Sequence, residues 1–399
     1  MTGEMDYNSL VNRTALEIPP SGIRRFFDIA AEMEDVISLS VGEPDFPTPW
    51  HVRDVGIDSL QKGKTRYSPN RGFTALCREI CLYYSRRFGL DYNYKTDVVV
   101  TVGGSEAIDL AVRALVNPGD EVLVPQPSFV CYDPIARLAG AEVIPIVTGR
   151  QDEFRLTADA LREAITDRTK LLILPFPNNP TGAVMRRGHL EEIAEVLRGT
   201  DILVLADEIY SELTYNGEPH VSIATIDGMK ERTVVVNGFS KSYAMTGWRM
   251  GYALGPAQII SVMTKIHQYA IMCAPTTSQY AAIEALRNGD DDIATMRDEY
   301  DLRRKLVVRG FRDLGFDCFE PEGAFYVFPS IAATKMTSEE FCEKLLLRKH
   351  VAVVPGTAFG PCGEGFIRVS YAYSTAHINE ALRRIGQFLK EEKIQQSGM

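Results

Sequence analysis

The sequence predicts an α/β fold: a mostly parallel β-sheet covered on both faces by helices, followed by a smaller α+β unit. Three observations carry that expectation. Short, unbroken apolar runs rich in β-branched residues recur from Val98 onward, the pattern of strands buried on both faces. Helical patterns stand between most of these runs, and alternation of that kind builds a parallel sheet. After about Asn288 the rhythm changes to long charged helical segments and short, isolated strand-like runs.

In order along the chain, Val98-Val99-Val100-Thr101-Val102 is the first run and closes on Gly103-Gly104. Ala107, Ile108, Ala111, Ala114 and Leu115 then fall on one face of a helix. Asn117-Pro118-Gly119-Asp120 interrupts it. Further runs follow at 121–124, 142–146, 170–174, 202–206 and 233–236, with helical stretches such as 189–197 between them. Later, 324–328, 351–354 and 365–370 read as strands, the surroundings of Arg303 and 339–348 as helices, and 376–393 as an amphipathic helix. These readings place a large domain at about 47–290, a small one formed by 16–46 with 291–399, and an arm at 1–15. Ligands of open parallel sheets bind beyond the carboxyl ends of the strands. The residues just after each run are therefore the candidates for chemistry.

Composition narrows the function. The 399 residues are 45% apolar and 24% charged, an ordinary globular balance at a length suited to two or three domains, or to one large and one small. Forty-three basic against 53 acidic residues leave a net charge of −10, which argues against nucleic acid as a partner. Cys77, Cys81, Cys131, Cys273, Cys318, Cys342 and Cys362 are odd in number and scattered, so free thiols are expected rather than a disulfide framework. Cys77 and Cys81 stand four apart in a helical pattern, but without the His or Cys spacing of a zinc site, and no metal is expected. The first ten residues lack a basic stretch followed by an apolar one, and no run reaches the roughly 18 apolar residues that span a bilayer. The expected location is the cytoplasm, with no membrane partner.

Four segments at strand ends carry the chemistry. Gly103-Gly104-Ser105-Glu106 opens a helix, where free backbone N–H groups attract an anion such as phosphate. The plainer alternative is a strand-to-helix turn capped by Ser105. Pro175-Phe176-Pro177-Asn178-Asn179-Pro180-Thr181-Gly182 is a dense turn cluster that turns the Asn179 amide toward a ligand, or is simply a tight loop. Asp207-Glu208-Ile209-Tyr210 ends a buried run, where an acid needs a cationic partner such as a protonated ring nitrogen. Tyr210 reaches the same ligand if a helical turn starts there, and an N-capping role for Asp207 is the alternative. In 237–251, Lys241 lies among small and aromatic residues with no carboxylate beside it in sequence, surroundings that lower a lysine's pKa and suit Schiff-base chemistry. Arg249 follows eight residues later as a bidentate phosphate donor. An anion cup, an acid, a phenol, an amide, a lysine and an arginine together are what pyridoxal phosphate asks for.

The stretch Gly238-Phe239-Ser240-Lys241 through Gly247-Trp248-Arg249-Met250-Gly251 resembles the lysine signature of the class I aminotransferases, nearest the bacterial aspartate and aromatic branch. The resemblance runs from about Pro19 to about Phe388. It implies a fold-type-I pyridoxal-phosphate enzyme with a seven-stranded sheet, and the cofactor pyridoxal 5'-phosphate. By that resemblance Lys241 carries the cofactor aldehyde as a Schiff base and shuttles the proton. Asp207 binds the ring nitrogen, Tyr210 and Asn179 meet the ring's phenolic oxygen, and Phe129 stacks on the ring. Gly104, Ser105 and Arg249 hold the phosphate. Tyr67 reaches the phosphate of a neighbouring subunit, which implies a homodimer with shared active sites. Arg368 grips the substrate α-carboxylate with help from Asn179, and Gly42 approaches it through its backbone. Read without the resemblance, Phe129 is a core residue and Arg368 a solvent-facing strand residue.

Two positions depart from the pattern. Gly238 stands where many relatives carry a phosphate-binding serine, and Ser105 where some aspartate-specific ones carry a lysine. The second departure argues against strict dicarboxylate specificity. The expected reaction moves the amino group of an L-amino acid to a 2-oxo acid with ping-pong kinetics. A carbon–sulfur β-lyase on the same scaffold is the nearest alternative reading. A non-catalytic effector-sensing module is a remote one, since the motifs begin near Gly42 and leave no room for a DNA-binding domain ahead of them.

Overall fold

The computed structural model describes residues 5, 7–20, 22 and 33–392. Parts of the expected arm and of 16–32, and the last residue of the expected helix 376–393, lie outside the described residues. In chain order the regular elements begin with α1 (Arg13–Glu17), β1 (Ile37–Ser38), α2 (Trp50–Gln61), α3 (Thr74–Phe88), β2 (Val98–Thr101) and α4 (Gly103–Leu115). Then come β3 (Glu121–Gln126), α5 (Tyr132–Leu138), β4 (Glu142–Val147), α6 (Ala158–Ala164), β5 (Thr169–Leu174), α7 (Arg187–Leu197), β6 (Leu203–Asp207), β7 (Thr233–Gly238) and β8 (Gly251–Leu254). The remainder is α8 (Ala257–Ala270), α9 (Thr276–Asn288), α10 (Asp290–Asp313), β9 (Tyr326–Val327), α11 (Ser338–Lys349), β10 (Val351–Ala352), β11 (Val354–Pro355), β12 (Ile367–Ser370) and α12 (Thr375–Glu391).

A seven-stranded sheet runs in the order β2-β8-β7-β6-β5-β3-β4. The six runs read from the sequence are its six co-directional strands, and β8 is antiparallel to both of its neighbours, β2 and β7. Successive side chains alternate across the sheet, and helices bury both faces of it except along the partly exposed edge strand β4. Val98, Val100, Leu172, Val204 and Val235 enter one core with α3, α7 and α9. Val99, Leu171, Ile173, Leu205 and Val234 enter the opposite one with α4 and α8. The expected face of α4 is the buried one: Ala107, Ile108, Ala111 and Leu115 are in this second core, with Ala114 packed at its edge.

Strand β8 went unread in the sequence, and Gly251 explains both its position and its weak signal. Its Cα passes so close to the start of α4 that an added Cβ would collide with the Gly103 carbonyl carbon and stand 2.8 Å from its oxygen. A glycine there weakens the strand pattern while permitting the close approach.

The second assembly packs β1, β9, β10 and β12 against α10, α11 and α12 around Phe311, Phe325, Phe341, Val369 and Phe388. The run expected at 351–354 is two strands, because the chain leaves a parallel pairing with β1 for an antiparallel one with β12. Helix α12 buries Ile378, Ala381, Ile385, Phe388 and Leu389 at helical spacing, as its amphipathic pattern requires, and Ser374 caps it by accepting from the His377 N–H. All seven cysteines are free. Burial pushes the Cys77 and Cys81 thiols up to about 12, so they are inert packing groups on α3. No described helix is long and apolar enough to cross a membrane.

Candidate active site

The carboxyl ends of β2, β3, β5, β6 and β7 open on a cavity of about 380 Å³, closed from the other side by the loop after β1 and by β12. Gly42, Gly104, Ser105, Phe129, Asn179, Asp207, Tyr210, Lys241, Arg249 and Arg368 all line it. Residues up to 326 positions apart in sequence thus meet in one place, and Tyr67 does not join them. Its side chain is 82% exposed and borders a separate depression with Cys273 and Pro275.

Lys241 sits in the turn that follows β7. Its Nζ donates to the Gly42 carbonyl oxygen at 2.6 Å and lies 5.7 Å from the centre of the Phe325 ring. Burial lowers its pKa to about 8. The positive charges of Arg368 and Arg249 act in the same direction, while Glu43 and Asp207 oppose them. The sequence neighbourhood shows no carboxylate beside Lys241, but the fold brings these two in from distant segments. Glu43 accepts a hydrogen bond from Thr246 at the rim.

Asp207 is the last residue of β6 and is buried. Its Oδ2 accepts from the Tyr132 hydroxyl at 2.7 Å and its Oδ1 from the Ile209 N–H at 3.2 Å. Burial raises its pKa, and these two bonds act against that rise. No helix begins at Asp207, so it is not an N-cap, and 209–212 form turns rather than helix. Those turns still carry Tyr210 to the cavity, where its hydroxyl and that of Tyr326 are 2.8 Å apart.

Arg368 points inward from β12 and is 2% exposed, which overturns the reading of a solvent-facing strand residue. Its Nη1 donates to Asn179 Oδ1 at 3.0 Å and its Nη2 to the Ser40 carbonyl at 2.5 Å. Its guanidinium lies over the Tyr326 and Phe359 rings, at 4.6 and 4.9 Å from their centres. The hydrogen-bond partners are neutral oxygens, and Nε is buried without any. A buried cation in such a shell favours an incoming carboxylate. Asn179 is held by the turn it sits in, since Asn178 Oδ1 accepts from both the N–H and the hydroxyl of Thr181.

The helix α4 begins at Gly103, with no side-chain cap on Val102. Ser105 lies inside the first turn, not at the cap, and Glu106 Oε2 takes the Val102 N–H instead. Arg249 adopts a left-handed backbone (φ 51°) and packs its guanidinium against Gly103, where a Cβ would stand 2.5 Å from Nη2. That leaves free N–H groups and a cation at one end of the cavity. Gly238 has a local cause too. A Cβ there would stand 2.9 Å from the Met250 carbonyl oxygen, so a serine at this position would require the backbone to shift. At Gly42 a Cβ would overlap the Tyr326 hydroxyl, so that side chain would have to move.

Sequence reasoning missed Tyr132, Tyr326, Phe359, Glu43 and the Ser40 carbonyl. Tyr132 follows Phe129 by three residues at the same strand end, and the two rings meet edge-on with centres 6.1 Å apart. That pair of aromatics was the available signal. Tyr326 lay inside a run read only as a strand, and nothing in the run marked it.

A model of the family described as "Aminotransferase class I and II" matches residues 34–385. The YugH protein of Bacillus subtilis (strain 168) is 52% identical over 94% of this chain and 96% of its own length. An aspartate aminotransferase of Pyrococcus abyssi is 44% identical over 94% of this chain and 97% of its own. The crystal structure of an aromatic aminotransferase from Pyrococcus horikoshii superposes with a TM-score of 0.89 at 42% identity, covering 94% of this chain and all of that one (100%). With the family match spanning nearly the whole chain and the relatives covered almost end to end, this protein belongs to the class I and II aminotransferases and is a pyridoxal-phosphate-dependent aminotransferase acting on amino acids and 2-oxo acids.

Proposed function

We propose that the cavity at the sheet's carboxyl end is the transamination site, with Lys241 as its reactive amine and Arg368 as its carboxylate receptor. The observation that carries this reading is Arg368 itself: a buried guanidinium whose hydrogen-bond partners among the described residues are neutral oxygens, facing the same cavity as the half-buried Lys241. Pyridoxal 5'-phosphate fits the residues present. Asp207 is a buried acid without a cationic hydrogen-bond partner, suited to a protonated ring nitrogen. Tyr210 and Asn179 would meet the phenolic oxygen and Phe129 the ring face, and all three line the cavity. The start of α4 at Gly104 and Ser105, together with Arg249, suits a phosphate.

When bound, the cofactor supplies an aldehyde that condenses with amines and a ring that accepts an electron pair. The chain's own residues do the rest. Lys241 with a pKa near 8 keeps a usable share of neutral amine at physiological pH, so Nζ can take a proton from the substrate Cα and return it. Arg368 and Asn179 fix the α-carboxylate and thereby the direction of the Cα–H bond. Asp207 holds a proton at the ring nitrogen. The apolar walls formed by Ile108, Phe129, Ile209 and Tyr326 exclude water and strengthen these charges.

We read the donor range as wider than dicarboxylates, in line with relatives named for both aspartate and aromatic amino acids. Among the described lining residues the cations are Lys241, Arg249 and Arg368, each with a role already given, and Ser105 adds no charge. We also read the protein as a homodimer with shared sites. Tyr67 stands outside its own cavity, and Ile271 and Met272 near it, with Tyr269, are exposed apolar surface that a second copy would cover. We keep the division into 47–290 against 16–46 with 291–399 as a reading of sheet membership, since the seven-stranded sheet draws its strands from the first part alone, although Phe319, Phe328, Val354 and Phe359 pack into its core and Tyr210, Leu213, Tyr215 and Ala244 into the other. The free thiols suit a reducing compartment such as the cytoplasm. A screen of amino donors against 2-oxoglutarate and pyruvate, following both 2-oxo products, tests the donor range. Turnover confined to aspartate and glutamate would overturn it, and sedimentation of a monomer at micromolar concentration would overturn the dimer.

A further inference from the structure

We propose that Tyr132 is a positioning residue whose phenol, bonded to Asp207 and set edge-on to Phe129, holds the acid against the ring nitrogen of the cofactor. The inference rests on the reading of Asp207 as the ring-nitrogen partner and adds the group that makes Asp207 fit for it.

Three observations carry it. The Tyr132 hydroxyl donates to Asp207 Oδ2 at 2.7 Å, and among the described residues the other donor to this carboxylate is the Ile209 N–H on Oδ1 at 3.2 Å. Tyr132 is 2% exposed, so water does not compete for its proton. Its ring meets that of Phe129 at 6.1 Å and 82°, which fixes the phenol from the side on which Phe129 faces the cavity. A phenol has one proton, and burial keeps it on the oxygen, so Tyr132 is a permanent donor to Asp207. A buried carboxylate with too few donors binds a proton of its own and turns from acceptor into donor. In that state it no longer supplies the negative charge that keeps a ring nitrogen protonated. The Tyr132 bond and the Ile209 bond oppose this outcome. Of the two, only the Tyr132 bond comes from a side chain and can be removed without altering the turn.

Tyr132 therefore links two contacts of the cofactor, the acid at its ring nitrogen and the aromatic wall on its face. It also lines the cavity, and the role proposed for it is exerted through Asp207.

The test is a double-mutant cycle of Tyr132→Phe and Asp207→Asn on holoenzyme loaded with pyridoxal phosphate labelled with nitrogen-15 in the ring. Tyr132→Phe keeps the ring and its packing and removes only the donor. The ring-nitrogen chemical shift reports protonation directly, independent of turnover. Tyr132→Phe should move that shift toward the unprotonated value and slow single-turnover proton removal by roughly 10- to 100-fold, as loss of a hydrogen bond to a charged group does. In the Asp207→Asn background, where the shift is already that of an unprotonated ring, Tyr132→Phe should add less than about twofold. Equal losses from Tyr132→Phe in both backgrounds would show a merely structural role and overturn the proposal. So would an unchanged shift in Tyr132→Phe when Asp207→Asn alone does move it. If Asp207→Asn itself leaves the shift unmoved, the reading of Asp207 fails first and takes the proposal with it.

Discussion

Titration of Lys241 in the cofactor-free protein tests the electrostatics of the site. Burial is the largest influence on this amine and lowers its pKa from the ordinary 10.5 to about 8. The sign follows from lysine chemistry: the neutral form is the nucleophile, and a depressed pKa populates it at lower pH. At pH 7 about one amine in ten is then neutral, against about one in 3,000 for an ordinary lysine, a gain of about 300-fold in reactive form. Competitive acetylation with a trace reagent from pH 6 to 11, read peptide by peptide by mass spectrometry, gives the profile of Lys241 beside those of surface lysines in the same sample. The Lys241 profile should bend near pH 8 and level off, while the others continue to rise past pH 10. Glu43→Gln removes a negative charge that stabilises the ammonium form, so it should move the bend to lower pH. A Lys241 profile that climbs in step with the surface lysines would refute the reasoning, because burial would then not be acting on the amine.

Other perturbations follow from single contacts. Arg368→Lys cannot reach both Asn179 Oδ1 and the Ser40 carbonyl with one planar fork, and kcat/KM for every donor should fall by about 100- to 1,000-fold, roughly 3–4 kcal/mol. Steady-state kinetics with unaltered kcat/KM would remove Arg368 from carboxylate binding. Gly238→Ser forces a Cβ to within 2.9 Å of the Met250 carbonyl and should cost about 1–3 kcal/mol, visible as a thermal midpoint several degrees lower. A midpoint at or above that of the unsubstituted protein would show that this backbone yields readily. Ser105→Lys places a cation at the exposed first turn of α4 and should raise the preference for aspartate over phenylalanine about two- to fivefold, ~0.5–1 kcal/mol of screened attraction. No change in that ratio would separate position 105 from side-chain recognition.

Of the six co-directional strands, β2, β3, β5, β6 and β7 were legible because burial on both faces demands unbroken apolar runs, while the edge strand β4 is largely exposed and was legible from its apolar, β-branched run alone. Strand β8 was not, since Gly251-Tyr252-Ala253-Leu254 is short and starts with a glycine placed there by its contact with Gly103. Lys241 and Asp207 were readable from composition at strand ends, where a charged residue in an apolar setting needs a reason. Arg368 was not readable in that way. A single arginine in a strand looks the same whether it faces solvent or a buried pocket, and only the resemblance to a known signature marked it. Tyr132 and Tyr326 were hidden for a related reason: an aromatic side chain lining a cavity has the same sequence pattern as one filling a core. The glycines at 42 and 238 show the reverse limit. The constraint on them comes from contacts with Tyr326 and Met250, partners remote or offset in sequence that no local pattern reveals.

Borohydride reduction of the protein loaded with pyridoxal 5'-phosphate, followed by proteolysis and mass spectrometry, addresses the role of Lys241 most directly. The cofactor mass should be fixed on the peptide that contains Lys241, with the visible absorbance lost on reduction, and Lys241→Ala should retain no label there. A label spread over surface lysines, or fixed elsewhere with Lys241 unmodified, would contradict the assignment of this amine as the cofactor's anchor.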